Sequence, residues 1–137
     1  MQFSHIIAAA AAMAVSASAV QVSWDAGYDQ ADRSLTQVSC SDGQHGLMSR
    51  FSTQGSLPNF PNIGGAAAVA GWNSPNCGTC WALEYQGNKV KVLAIDHAGD
   101  GFNIGQTAMN ALTNGRAAEL GHVEAAVTQL SAWECGL

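Results

Sequence analysis

Trp81–Gly101 reads WALEYQGNKVKVLAIDHAGDG, and most of the fold follows from how this stretch is parsed. Trp81–Tyr85 and Lys89–Ile95 have strand patterns, and Gln86-Gly87-Asn88 between them is a hairpin signal. The apolar run ending at Ile95 passes straight into Asp96–Gly101, a polar, glycine-rich loop. Toward the C-terminus, Gln106–Thr113 has helical spacing, Asn114-Gly115 is its stop signal, and Arg116–Leu120 adds a helical turn. Val123–Leu130 then reads as a closing strand that leads to Cys135. Toward the N-terminus lies a long irregular stretch, Gly46–Asn76, with Pro58, Pro61 and Pro75 and several glycines. A loop this long is usually functional or pinned by a crosslink, and Cys77 pins its far end. Within it, Gly65–Ala70 predicts a short helix. Leu35–Cys40 predicts a short strand stopped by Ser41-Asp42-Gly43, Asp25–Ser34 is turn-like, and Val20–Trp24 alternates as a strand. Short strands with one or two short helices make the chain mainly β, a small barrel rather than a layered α/β fold.

The N-terminal Met1–Ala19 reads as a signal peptide. Ile6–Val15 is apolar, and Ala17-Ser18-Ala19 fits the small-x-small pattern, placing the cut after Ala19. The run is far shorter than the roughly 20 residues needed to span a bilayer. Residues 20–137 suit one domain. The chain has five basic and ten acidic residues, a formal net charge of −5. That balance argues against nucleic acid, anionic membrane surfaces and anionic substrates. Only 11 % of residues are charged, so Gly, Ala, Ser, Thr and Asn fill the surface and suit neutral, hydroxyl-rich ligands.

Cys40, Cys77, Cys80 and Cys135 are an even set in a small secreted chain, which means two disulfides. Pairing Cys77 with Cys80 closes only a tiny loop. Pairing each with a distant cysteine closes loops of roughly 40 and 55 residues, each worth about 4 kcal/mol in the chain-entropy model. The Cys77-Gly78-Thr79-Cys80 spacing also occurs in redox dithiols and zinc sites. Here Cys80 leads into a strand rather than a helix, and His45, His97 and His122 lack metal-like spacing, so no metal or cofactor is expected.

Asp96 ends an apolar strand, where a carboxylate is well placed for binding, with Asp100, Asp42 and His97 as companions. Glycoside hydrolysis normally needs two carboxylates facing across the bond, and nothing in the spacing fixes a second one there. A plain turn aspartate would accept backbone N–H bonds instead. Sugar rings stack on exposed aromatic faces; Tyr28 and Trp72 lie in polar surroundings that suit this, whereas Trp81 and Trp133 neighbour disulfide cysteines and are expected in the core. No nucleophile elbow, phosphate loop or glycosylation sequon is present.

Several segments match a known family: VQVSWDAGYD, CSDGQHGL at Cys40, FPNIGGAAAVAGWNSPNCGTCW and VLAIDHAGDGFNIG. On these the chain resembles the cerato-platanins, small secreted proteins of filamentous fungi. The resemblance implies a six-stranded double-psi β-barrel with short peripheral helices, as in expansin first domains and barwin-like proteins. It implies the pairs Cys40–Cys77 and Cys80–Cys135. It also implies binding of chitin-type N-acetylglucosamine oligomers, a place in fungal walls and culture fluid, and elicitation of plant defence, with cellulose and plant surface receptors as further partners. Some members self-assemble at air–water interfaces, and some loosen cellulose without cutting it.

By the same resemblance Asp96 corresponds to the expansins' essential acid, without the partners that hydrolytic relatives use. Trp24, Asp25, Tyr28, Ser41, Asp42 and Asn103 fall in matching motifs near the implied groove. Trp24 stands where tyrosine is common and His45 where asparagine is common. His97 stands where a small residue is usual, which would make binding pH-sensitive. The leading expectation is a secreted, non-catalytic carbohydrate-binding protein. The alternatives are a wall-loosening protein or weak glycan hydrolase, and a surface-active film former.

Overall fold

The protein is described from a computed structural model, which covers residues 18–137. Six strands form one closed barrel: β1 (Ser18–Trp24), β2 (Ile63–Ala66), β3 (Cys80–Tyr85), β4 (Asn88–His97), β5 (Phe102–Ile104) and β6 (His122–Leu130). Their order around the barrel is β1-β5-β2-β4-β3-β6. The β1–β5 and β2–β4 pairs are parallel and the other four antiparallel, so the barrel is mixed and closed, as expected. The expected leader lies outside the described residues except for Ser18 and Ala19, which pair with Val127 and Ala126 on β6. A cut after Ala19 would leave β1 starting at Val20, opposite Ala125.

The β3–β4 hairpin forms as read. Gln86 (φ 49°) and Gly87 (φ 86°) both take left-handed backbone, the turn that matches the strands' own twist. Along β4, Lys89 and Lys91 face water while Val90 and Val92 are buried, after which Leu93, Ala94 and Ile95 are all buried. The alternation stops there because α1 (Gln106–Thr113) packs across the strand and covers its second face. The core gathers Val22, Leu35, Ile63, Leu83, Leu93, Ile95, Ile104, Met109 and Leu112. Asn114 (φ 60°, ψ 44°) ends α1 in the left-handed conformation, and α2 (Ala117–Leu120) supplies the further helical turn.

Two expected elements are different. Gly65–Ala70 is not a helix: Ile63–Ala66 is β2, wedged between β4 and β5. The glycine is there for close approach, since a Cβ on Gly65 would lie 2.8 Å from the His97 carbonyl oxygen. Leu35–Cys40 is not a strand but a 3₁₀ turn at Leu35–Gln37, capped by the Ser34 hydroxyl accepting the Thr36 N–H at 3.1 Å. Beyond it the chain meets the barrel end, where Cys40 N–H donates to Ile95 O at 3.1 Å. Cys40–Cys77 and Cys80–Cys135 are the two disulfides, the first fastening loop to loop and the second joining β3 to the C-terminal 3₁₀ turn Ala132–Cys135. No helix among the described residues is long and apolar enough to cross a membrane.

Candidate functional site

Asp96 lies in β4 rather than in the loop after it, one residue before the strand ends at His97. Strand pairing gives it a row of neighbours. Asp96 is opposite Gly65 on β2, Gly65 is opposite Asn103 on β5, and Asn103 is opposite Ser23 on β1. Gly65 has no side chain, so the row runs from a carboxylate over bare backbone to a carboxamide.

The carboxylate is held from three sides. Oδ1 accepts the backbone N–H groups of Ser39 and His97, both at 2.9 Å, and Oδ2 accepts the Tyr28 hydroxyl at 2.8 Å. Tyr28 is 5 % exposed. Burial first, and then the hydrogen bond to Asp96, push its phenol well above the ordinary tyrosine range. The hydroxyl is therefore a donor throughout the physiological range.

Tyr28 is placed by its own short helix. Ala26–Asp29 is a 3₁₀ turn whose N-cap, Asp25, accepts the Gly27 N–H at 2.8 Å. Gln54 is fully buried beneath it and donates Nε2 to Gly27 O at 3.0 Å and Gln30 O at 2.9 Å. The Arg33 guanidinium stands 5.4 Å from the centre of the Tyr28 ring, a cation–π distance. Asp29, at the end of the same turn, accepts the Gln106 and Thr107 N–H groups and so caps α1, whose own N-cap position is Gly105.

Of the predicted site residues, Asp96, Tyr28 and Asn103 come together. The Ser23 hydroxyl donates to Asn103 Oδ1 at 3.0 Å, and the Asn103 amide nitrogen has no partner among the described residues. That amide is a donor directed by its neighbour. Asp25 serves as a cap. Trp24 donates its indole N–H to Ala117 O at 2.8 Å and packs against the core, clasping α2 to β1. Ser41 contributes its carbonyl, which accepts the Met48 N–H at 3.0 Å. Asp42 stands apart with Trp72, whose indole N–H donates to its Oδ1 at 2.7 Å. His97 Nδ1 lies 2.7 Å from Val69 O and ties the segment after β2 to the end of β4.

Sequence reading missed Ser39, Ser23 and Gln54. Their contributions are a backbone N–H, a hydroxyl that orients Asn103 and a buried amide, none of which has a motif. Trp133 is a correction in the other direction: expected in the core beside Cys135, it is 72 % exposed. The 3₁₀ turn that carries Cys135 inward points its neighbour out. Trp81, by contrast, is half-buried and meets Phe102 edge-on, with ring centres 5.5 Å apart. Among the described residues no group of three or more His, Cys, Asp or Glu side chains is arranged to hold a metal.

Comparison with known proteins accounts for the whole described barrel. The cerato-platanin family model matches residues 20–137. Allergen Asp f 15 of Aspergillus fumigatus is 50 % identical over 116 residues, covering 85 % of this chain and 76 % of the relative. The crystal structure of cerato-platanin 2 from M. perniciosa superposes with a TM-score of 0.84 at 46 % identity, covering 87 % of this chain and 99 % of that one. The solution structure of the fungal elicitor cerato-platanin superposes with a TM-score of 0.77 at 40 % identity, covering 85 % and 96 %. With the family model, the sequence relatives and the superposed structures in agreement over this span, the chain belongs to the cerato-platanin family.

Proposed function

We propose that the chain is a secreted, non-catalytic carbohydrate-binding protein that holds chitin-type N-acetylglucosamine oligomers and acts in the exchange between a fungus and a plant. The observation that carries this reading is the row Asp96–Gly65–Asn103. It offers an acceptor and a donor at either end of a side-chain-free step, the complement of hydroxyl and acetamide groups on a neutral sugar. Asp96 is an acceptor already engaged by three donors, which suits a fixed ligand for hydroxyls better than a proton-transferring acid. Affinity is expected to be modest, because sugars exchange water hydrogen bonds for protein ones at little net gain. The relative whose structure is titled a fungal elicitor supports a role in host recognition.

Titration of N-acetylglucosamine tetramer against the wild type and Asp96→Ala tests the reading. Binding by the wild type, weakened about tenfold or more by the substitution, supports it. Equal binding by both contradicts it. Incubation with chitin and cellulose gives the second test: new reducing ends that vanish in Asp96→Asn would replace the binding reading with a hydrolytic one. A film-forming role is favoured by one observation, the exposure of the Trp133 indole. Loss of surface pressure at an air–water interface in Trp133→Ser would support that second role.

A further inference from the structure

Two tryptophans stand open to solvent, Trp72 at 62 % and Trp133 at 72 % exposure. They are held differently. The Trp72 indole N–H is bonded to Asp42 Oδ1, whereas that of Trp133 has no partner among the described residues. Trp72 is also braced along a second edge. Gly43 has φ +88°, and a Cβ there would stand 3.0 Å from Trp72 Cζ2 and 2.7 Å from Asn73 Oδ1, so the loop backbone lies flush against the ring. Asn73 takes the left-handed φ of 60°, and its Oδ1 accepts the His45 N–H at 2.8 Å. Cys40–Cys77 fastens the two loops at their base. Two contacts hold the ring itself and two more fix the loops that carry it, while most of the ring stays in water. An indole needed only for packing would be covered.

We propose that Trp72 and Asp42 form a second sugar subsite, a stacking platform for one pyranose ring of an oligomer whose other rings lie over Asp96. The inference rests on the carbohydrate-binding reading above and extends it. The apolar C–H face of the sugar lies on the indole, and a hydroxyl at its edge donates to Asp42 Oδ2, which has no partner among the described residues. Anionic ligands are disfavoured by the same carboxylate. The two subsites are within reach of one chain. Ser39 donates to Asp96, and three steps of backbone separate it from Asp42, so their Cα atoms lie at most about 11 Å apart. Because the ring is already fixed, little side-chain freedom is lost on binding.

The test is a titration of the intact protein with N-acetylglucosamine dimer and tetramer, followed by ¹H–¹⁵N spectra. The four tryptophans give four indole signals. Tetramer is expected to move the Trp72 signal and to leave those of Trp24, Trp81 and Trp133 in place. Trp72→Ala is expected to weaken tetramer binding about three- to tenfold, with little effect on the dimer, as loss of one aromatic stack would. Trp72→Phe, which keeps a ring but loses the bond to Asp42, falls between. A silent Trp72 signal while the Ser39 and His97 amides move overturns the platform and leaves the Asp96 site standing. Movement at Trp72 alone, with Ser39 and His97 still, overturns the Asp96 site and with it the two-subsite arrangement. An equal response at Trp133 shows unspecific stacking and also overturns the platform.

Discussion

The end of β4 and the loop pair around Trp72 solve one problem in two ways. Each must hold a reactive surface group in a fixed pose while leaving it in water. At Asp96 the strand does the work: pairing with Gly65 sets the position, and two backbone N–H groups and one phenol set the orientation. At Trp72 there is no regular structure, and a disulfide, a left-handed asparagine and a close-packed glycine replace it. The difference teaches where each site is vulnerable. The first depends on the barrel, and the second on a crosslink.

The largest expected effect comes from opening that crosslink. Replacing Cys40 and Cys77 by serine should cost about 4 kcal/mol in thermal or denaturant unfolding, given the 37-residue separation of the pair. In protein that remains folded, the Trp72 indole signal should lose its distinct shift while the Tyr28–Asp96 contact persists. Equal damage to both regions would erase the contrast.

Next is Tyr28→Phe, which leaves Asp96 Oδ2 without its donor. A hydrogen bond to a charged group is worth about 1.5–3 kcal/mol, so a loss of that size is expected, with Trp72 untouched. The same variant changes the alkaline limb of stability. The folded phenol holds its proton above the ordinary value of 10.0, while the unfolded one releases it there. Stability from this group is therefore complete below about pH 10 and falls as pH rises past it. Tyr28→Phe should flatten that fall, which unfolding curves collected at rising pH will show.

How much of this was legible in the sequence follows the same divide. The hairpin could be read because Lys89, Val90, Lys91 and Val92 alternate across one face of a barrel that is open to water. The final strand and α1 were legible for similar reasons of period. β2 and β5 were not, because Ile63–Ala66 and Phe102–Ile104 are too short for a period and are defined by the neighbours they pair with. At the site, Asp96 was marked by its place at a strand end and by resemblance. Its partner Ser39 was invisible, since any residue can offer a backbone N–H. Trp133 went the other way from its reading, turned outward on the turn that carries Cys135, while Trp24, placed near the groove by resemblance, has its indole N–H bonded to Ala117 O.

Smaller effects sharpen the comparison. Asp29→Ala removes the side chain that caps α1 from another element and should cost about 1 kcal/mol by thermal unfolding. Trp133→Ala should change stability by less than about 0.5 kcal/mol and leave tetramer binding unchanged, because nothing braces that ring. A strong loss of binding there would move the stacking surface to the C-terminal 3₁₀ turn.

The most direct measurement follows the amide signals of Ser39 and His97, the two backbone donors to Asp96, as N-acetylglucosamine tetramer is added. Both signals should shift along a saturating curve in the wild type, and saturation should be lost in Asp96→Ala protein that circular dichroism shows to be folded. Two stationary signals at ligand concentrations that saturate binding by calorimetry would contradict a sugar site at the end of β4.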